Sequence, residues 1–419
     1  MKYSSVISSY RSLKTIALAY FVLILILAIP RIIGPSWRSI MLPGDMRNLE
    51  GFPVHWESHI QLRSVRAMSA NNSLDDLVKW YSTDEYRATI PIYMASVFRQ
   101  VTGNYIVSVT IAEVVWWWIG AVAVFLFALQ FYNVATAFAA GALTASSPLA
   151  IGHLGTASLH TASSMSLSLF LLIGWRILHG NTFNVRQQIL LYGSCLFLSS
   201  VTYTYQWFLA PLFLLLCLYP KPGRASIATN IYGILLFLFL RVLSYAILDV
   251  GGIEVHRHTN DPINLLRDRV LSVLVSSKDS MHIFYTLPDL FIDSILGTIS
   301  SYHPAILISA IFGAIRIHDK NLRYSFIIAL ILSVLLGVIY GVAWVLMTGY
   351  PFVYALAAHG MASGSREAAM RVPFLRNNLR TPVALLGACT LVAIAITNLD
   401  LIGDASFVIK WWQSWYVPH

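Results

Sequence analysis

Apolar residues fill this 419-residue chain in long unbroken blocks, separated by short polar punctuation. A helix that crosses a bilayer needs about 20 such residues. The first block is 15–33, preceded by Lys2, Arg11 and Lys14. It stands where a signal peptide would, but Arg31, Ile32, Ile33, Gly34 and Pro35 follow it rather than a small-residue cleavage site. We read it as an uncleaved first span. Further blocks fall at 105–129, 134–152, 161–178, 189–206, 207–219, 227–248, 290–315, 324–347 and 382–398. The stretch 324–365 is too long for one span and is broken by Thr348, Gly349, Tyr350 and Pro351. Proline is well placed in a first helical turn, so 351–365 forms a short extra span in the preferred count of 11; without it there are 10. The pattern predicts an all-α, polytopic transmembrane helix bundle, one integral membrane domain over 1–419.

Charge position gives this bundle a direction. With the N-terminus inside, the short inner connections carry Arg176 and Arg186, then Lys221 and Arg224, then Arg316, Lys320 and Arg323. A span at 351–365 adds Arg366, Arg371, Arg376 and Arg380 to the same side. The outer connections near 153–160 and 203–206 carry no Lys or Arg. Cytoplasmic loops of membrane proteins show this excess, which predicts a cytoplasmic N-terminus. Trp411, Trp412, Trp415 and Tyr416 then form an outer interfacial belt.

Composition agrees and excludes alternatives. Hydrophobic residues make up 57% and charged residues 11%, with mean hydropathy +0.67. Soluble domains carry about a quarter charged residues, so a soluble globule, a disordered chain and a nucleic-acid binder are all ruled out. The net charge of +9 reports sidedness rather than an anionic partner. Cys195, Cys217 and Cys389 all lie in apolar runs and read as reduced packing residues.

Two long connections fall outside, 34–104 and 249–289. The first holds Asp45, Glu50, His55, Glu57 and His59, then Asp75, Asp76, Asp84 and Glu85, interleaved with Arg47, Arg63, Arg66, Lys79 and Arg87. Residues 56–70 read as an amphipathic helix along the membrane surface, with Ile60, Val65 and Met68 on its apolar side. An ionised carboxylate there serves as a general base if it reaches an attacking hydroxyl; otherwise these are solvated ion pairs. The second loop holds His256, Arg257, His258, Asp261, Arg267 and Arg269. His256, His258 and Asp261 are a candidate set for a divalent metal, against a lid packed over the first loop. Two charges sit inside apolar runs. Glu113 lies about two turns into the second span, and Arg241, pairing with an acid or snorkelling, lies in the seventh. The serines at 158, 163, 164 and 166 are explained by close helix packing.

The order of motifs carries a resemblance. One span is followed by Trp56-Glu57-Ser58-His59, then Ile90-Pro91-Ile92-Tyr93, then Thr102-Gly103-Asn104 opening the second span, then an alanine-rich 130–150 with Ser147-Pro148. Over roughly residues 15–180 this resembles the GT-C superfamily of polyprenyl-phosphate-sugar-dependent glycosyltransferases, most closely the bacterial branch related to protein mannosyltransferases. The resemblance implies inverting sugar transfer on the outer face, a carboxylate base, and no required cofactor beyond an optional divalent metal. Its partners would be membrane lipids, a polyprenyl-phosphate sugar donor and other membrane proteins. Trp56 stands where the family has its catalytic Asp, so Glu57 and Asp45 are level as catalytic residues. Glu50, His55, His59, Arg63, Arg66, Arg257, Arg267 and Arg269 are the substrate-binding candidates. Two other readings stay open: a non-catalytic membrane subunit, and a lipid or solute transporter.

Overall fold

The computed structural model describes residues 89–154, 159–179, 183–202, 224–250, 302–340, 343–371 and 381–403. Among them are eleven α-helices, one 3-10 helix and no strand. In chain order they are α1 Thr89–Thr102, α2 Tyr105–Ala128, α3 Val134–Ala145, α4 Pro148–His153, α5 His160–His179 and α6 Val185–Thr202. Then come α7 Arg224–Val250, α8 Pro304–Arg316, α9 Lys320–Tyr340, the 3-10 helix Ala343–Gly349, α10 Tyr350–Arg371 and α11 Thr381–Gly403. The all-α reading holds. Among the described residues three segments are long and apolar enough to cross a bilayer unaided: Val107–Ala128, Ile227–Ser244 and Thr381–Asn398.

Four expected runs change shape. The run 134–152 is two helices, because Pro148 has no N–H to continue the ladder and α3 stops at Ala145. The run 324–347 ends as an α-helix at Tyr340 and gives way to the 3-10 helix. Residues 351–365 are helical within α10. The stretch expected as 290–315 has its described helix only from Pro304, with His303 at φ 66° ahead of it. A helix not expected, α1, occupies the end of the first long connection, carrying Ile90-Pro91-Ile92-Tyr93 in its first turn. The runs 15–33 and 207–219 and the aromatic belt lie outside the described residues.

Caps fix several starts. Asn133 Oδ1 accepts from Thr136 N at 2.9 Å at the head of α3, and Asp319 Oδ1 accepts from Asn321 N at 2.9 Å at the head of α9. Such caps stabilise a helix by about 1 kcal/mol each.

α10 is the centre. Every residue from Tyr350 to Ala358 is buried, and a helix apolar all round belongs inside a bundle. It packs on α2, α3, α8, α9 and α11. Beside this group α2, α5, α6 and α7 stand in a row, and α1 braces α2 and α6. The crossing of α8 over α10 is the tightest. A Cβ at Gly313 would strike the carbonyl oxygen of Leu356, and one at Gly360 the carbonyl oxygen of Ser309. Small residues permit this approach, which replaces the hydrophobic drive that lipid cannot supply. Arg241, within α7, donates to Ser200 Oγ of α6 at 3.1 Å. Of the serines expected as packing residues, Ser164 and Ser166 are buried on α5, which meets α2 where Met165 fills the space over Gly120; Ser158 lies outside the described residues. Cys195 and Cys389 are free thiols; Cys217 lies outside the described residues.

The bundle has two distinct ends. At one, Phe131 of the α2–α3 turn packs on Trp175 at 4.9 Å and Phe326 at 5.4 Å, and Arg316 bridges Glu367 at 2.7 Å. Arg176, Arg316, Lys320, Arg323, Arg366 and Arg371 gather around that end. At the other, Ser147, Tyr302 and Tyr350 meet.

Gly360→Ala should lower stability in detergent by about 1–3 kcal/mol, because backbone stands where the methyl must go. Gly387→Ala on α11, with nothing within 4 Å, should be neutral or stabilising by up to about 1 kcal/mol. Thermal unfolding of the two purified variants checks this; equal shifts would refute the close crossing.

Candidate functional site at the helix break

The end away from the arginines is built around the interrupted helix α3–α4. A break inside a bundle leaves carbonyls without helical partners, and each must find a donor where water is absent. Trp117 Nε1 of α2 donates to Ala145 O at 3.0 Å. Asn398 Nδ2 of α11 donates to Ser146 O at 3.0 Å. Thr161 Oγ1 of α5 donates to Ala150 O at 3.3 Å. Three different helices therefore hold the break open from three sides.

Aromatic hydroxyls line its other side. Ser147 Oγ hydrogen-bonds Tyr350 Oη, and Tyr302 Oη donates to Leu346 O of the 3-10 helix. Tyr302, Tyr350 and Tyr354 stack edge to face at centroid separations of 5.9, 6.2 and 4.8 Å. All three are at most 1% exposed. Such pairs add about 0.5–1.5 kcal/mol each beyond the area they bury.

The first long connection enters at this same end. α1 turns into α2 through Thr102-Gly103-Asn104, where Gly103 takes φ 71°, a conformation that costs a side-chain-bearing residue about 1–2 kcal/mol. Thr102 Oγ1 bonds Ser108 Oγ at 2.7 Å, and Asn104 Oδ1 accepts from Val107 N at 3.2 Å. This clamp fixes α1 across the head of α2. Glu113 lies two turns below, its side chain wholly buried. α2 and α5 run parallel, Gly120 against Met165 and Phe127 against Trp175. In that register Glu113 lies toward the end of the bundle that holds the helix break.

Every catalytic and substrate-binding candidate from the sequence lies outside the described residues: Asp45, Glu50, His55, Glu57, His59, Arg63, Arg66, Arg257, Arg267 and Arg269. So do the metal candidates His256, His258 and Asp261. Among the described residues no three His, Cys, Asp or Glu side chains come together as a metal set. The sequence reading missed Trp117, Tyr302, Tyr350 and Asn398. Two signals pointed to them: a lone Asn inside an apolar run, and Ser147-Pro148 inside another.

No family model and no curated protein matches the sequence. Solved structures do match the fold. The structure of ArnT from Cupriavidus metallidurans bound to undecaprenyl phosphate is similar at 14% identity and TM-score 0.55, over 95% of this chain and 75% of that one. The apo state of ArnT matches at 13% identity and TM-score 0.53, with the same coverage. The apo Archaeoglobus fulgidus oligosaccharyltransferase matches at 10% identity and TM-score 0.52, over 95% of this chain but only 56% of that one. These neighbours are GT-C superfamily glycosyltransferases. The chain therefore has the GT-C membrane fold and is an integral membrane protein, as the order of its motifs implied.

Trp117→Phe should keep the ring packing but orphan the Ala145 carbonyl, at a cost of about 1–3 kcal/mol. Asn398→Leu should cost a similar amount through Ser146. Unfolding of the variants in micelles measures both; unchanged stability would mean that the break does not need these donors.

Proposed function

We propose that the protein is a membrane glycosyltransferase that moves a sugar from a polyprenyl-phosphate-linked donor to an acceptor hydroxyl. The observation that carries this is a GT-C fold matched over 95% of the chain, with similarity to ArnT bound to undecaprenyl phosphate. Three further features support it: α1 clamped across the head of α2, the acid-rich connection that α1 ends, and Glu113 buried toward the same end.

In this reading the arginine end faces the cytoplasm of a bacterial inner membrane, as does the N-terminus, and both long connections lie outside. Glu57 or Asp45 takes the proton of the acceptor hydroxyl. The freed oxygen attacks the anomeric carbon from the face opposite the phosphate, and the C–O bond breaks with its electron pair leaving on the phosphate. Configuration inverts. The departing phosphate gains negative charge, which a planar guanidinium meets with two parallel hydrogen bonds. Arg63, Arg66, Arg257, Arg267 and Arg269 are the candidates for that role. Glu50, His55 and His59 would orient the acceptor and the base. His256, His258 and Asp261 are the positions from which a divalent ion would add charge if one takes part.

Trp56 favours a second reading. It stands where the related enzymes carry an acid, and a chain without that acid fits a membrane subunit that binds the donor for a catalytic partner.

Glu57→Gln and Asp45→Asn, assayed with a polyprenyl-phosphate sugar, separate these readings. The variant that removes the base should lose about 10²–10⁴-fold in kcat while donor binding stays within about twofold. Full activity in both variants would refute the assigned chemistry. Donor binding without turnover by the unaltered chain would support the subunit reading.

A further inference from the structure

At the arginine end, donors outnumber acceptors. The acids described there, Asp319 and Glu367, are both engaged. Asp319 caps α9 through Asn321 N and Leu322 N. Glu367 takes Arg316 at 2.7 Å and Arg371 at 2.8 Å. Arg323 and Arg366 share in neither. Three buried atoms of the same end have no hydrogen-bond partner among the described residues: Tyr132 Oη, His359 Nε2 and Arg323 Nε.

Two of these groups are neighbours. The Tyr132 and His359 rings stack with centroids 4.6 Å apart and planes at 18°. The adjacent Phe131 packs on Phe326 at 5.4 Å, and Arg323 lies one turn before Phe326 on the same side of α9. The charges of Arg366 and His318 act on the His359 ring, whose N–H donates to the Arg316 carbonyl. Burial pushes the Tyr132 phenol well above its ordinary pKa, so its hydroxyl keeps its proton. Around the cluster α8 and α9 turn apolar side chains outward: Ile311, Ile315, Tyr324 and Ile328 are all exposed. The cluster therefore sits at the rim of a lipid-facing belt.

A group of donors with too few acceptors, at a membrane boundary, matches an acceptor-only anion. We propose that Arg323, Arg366 and Tyr132, with the His359 ring stacked beside the phenol, form a binding site for a phosphate oxyanion, at the end of the bundle opposite the helix break and separate from the proposed glycosyl-transfer site. Arginine and hydroxyl donors together satisfy several oxygens of one phosphate. A general positive-inside surface would instead spread its attraction over every exposed cation.

The test uses the full chain in detergent, with native mass spectrometry against phosphatidylglycerol and phosphatidylcholine, and thermal unfolding with inorganic phosphate. Phosphatidylglycerol should be retained about tenfold better than phosphatidylcholine, and Tyr132→Phe or Arg323→Gln with Arg366→Gln should each remove about that factor. Arg371→Gln, a cation of the same end already held by Glu367, should leave retention unchanged. If the lipids do not differ but inorganic phosphate stabilises the unaltered chain and not the variants, the site holds and its phosphate is a free one. If neither ligand is preferred, or if Arg371→Gln acts as strongly as the others, the proposal is overturned. Should the double arginine variant fail to fold, Tyr132→Phe removes one oxygen only and keeps the test intact.

Discussion

The need of a backbone carbonyl for a donor, in surroundings that offer no water, organises much of this molecule. α3 stops at Ala145 because Pro148 cannot carry the ladder onward. The freed oxygens of Ala145 and Ser146 would each be expensive if left bare, and Ala150 O, which keeps its partner Leu154 N within α4, takes a second donor across the junction. They are met by an indole on α2, an amide on α11 and a hydroxyl on α5. Those three bonds tie together helices that are distant in sequence. Asn398 reaches across 252 positions to Ser146. The break is a defect in one helix and a junction for four.

Around this junction α10 supplies the axis. Its first nine residues are buried on every side, and its glycine crossing with α8 brings backbone almost onto backbone. Lipid tails are as apolar as leucine side chains, so burial alone does not hold these helices together. Close approach and internal hydrogen bonds do that work. Residues ordinarily read as weak helix formers, Gly313, Gly360, Ser309 and Ser147, therefore occupy the contacts that define the packing.

The same packing gives the two ends different chemistry. One end gathers aromatic hydroxyls, the helix break, the clamp under α1 and a buried carboxylate. The other gathers guanidinium groups around a turn of stacked rings. With so few charges in the chain, sorting them by end is what makes the bundle directional. The proposed sugar transfer is assigned to the first end, where α1 closes the first long connection, and the proposed oxyanion site to the second.

Hydrophobic blocks of about 20 residues are a local property, so the sequence alone determined the all-α membrane class, most helix positions and the sorting of Lys and Arg. The order of its short motifs also pointed to the GT-C fold that the solved structures share. It missed the split of 134–152, although Ser147-Pro148 marked it, because a proline in an apolar run is read as tolerable until the freed carbonyls must be accounted for. It placed Glu113 about two turns into the second span, the depth at which the structure buries it. The meeting of Tyr350 with Ser147, 203 positions apart, and of His359 with Tyr132 is invisible to any periodicity. Such pairs exist only because α10 threads the middle of the bundle. Sequence sets what each helix is; which side chains share an end is decided by how helices far apart in the chain pack, and only the tertiary structure contains that.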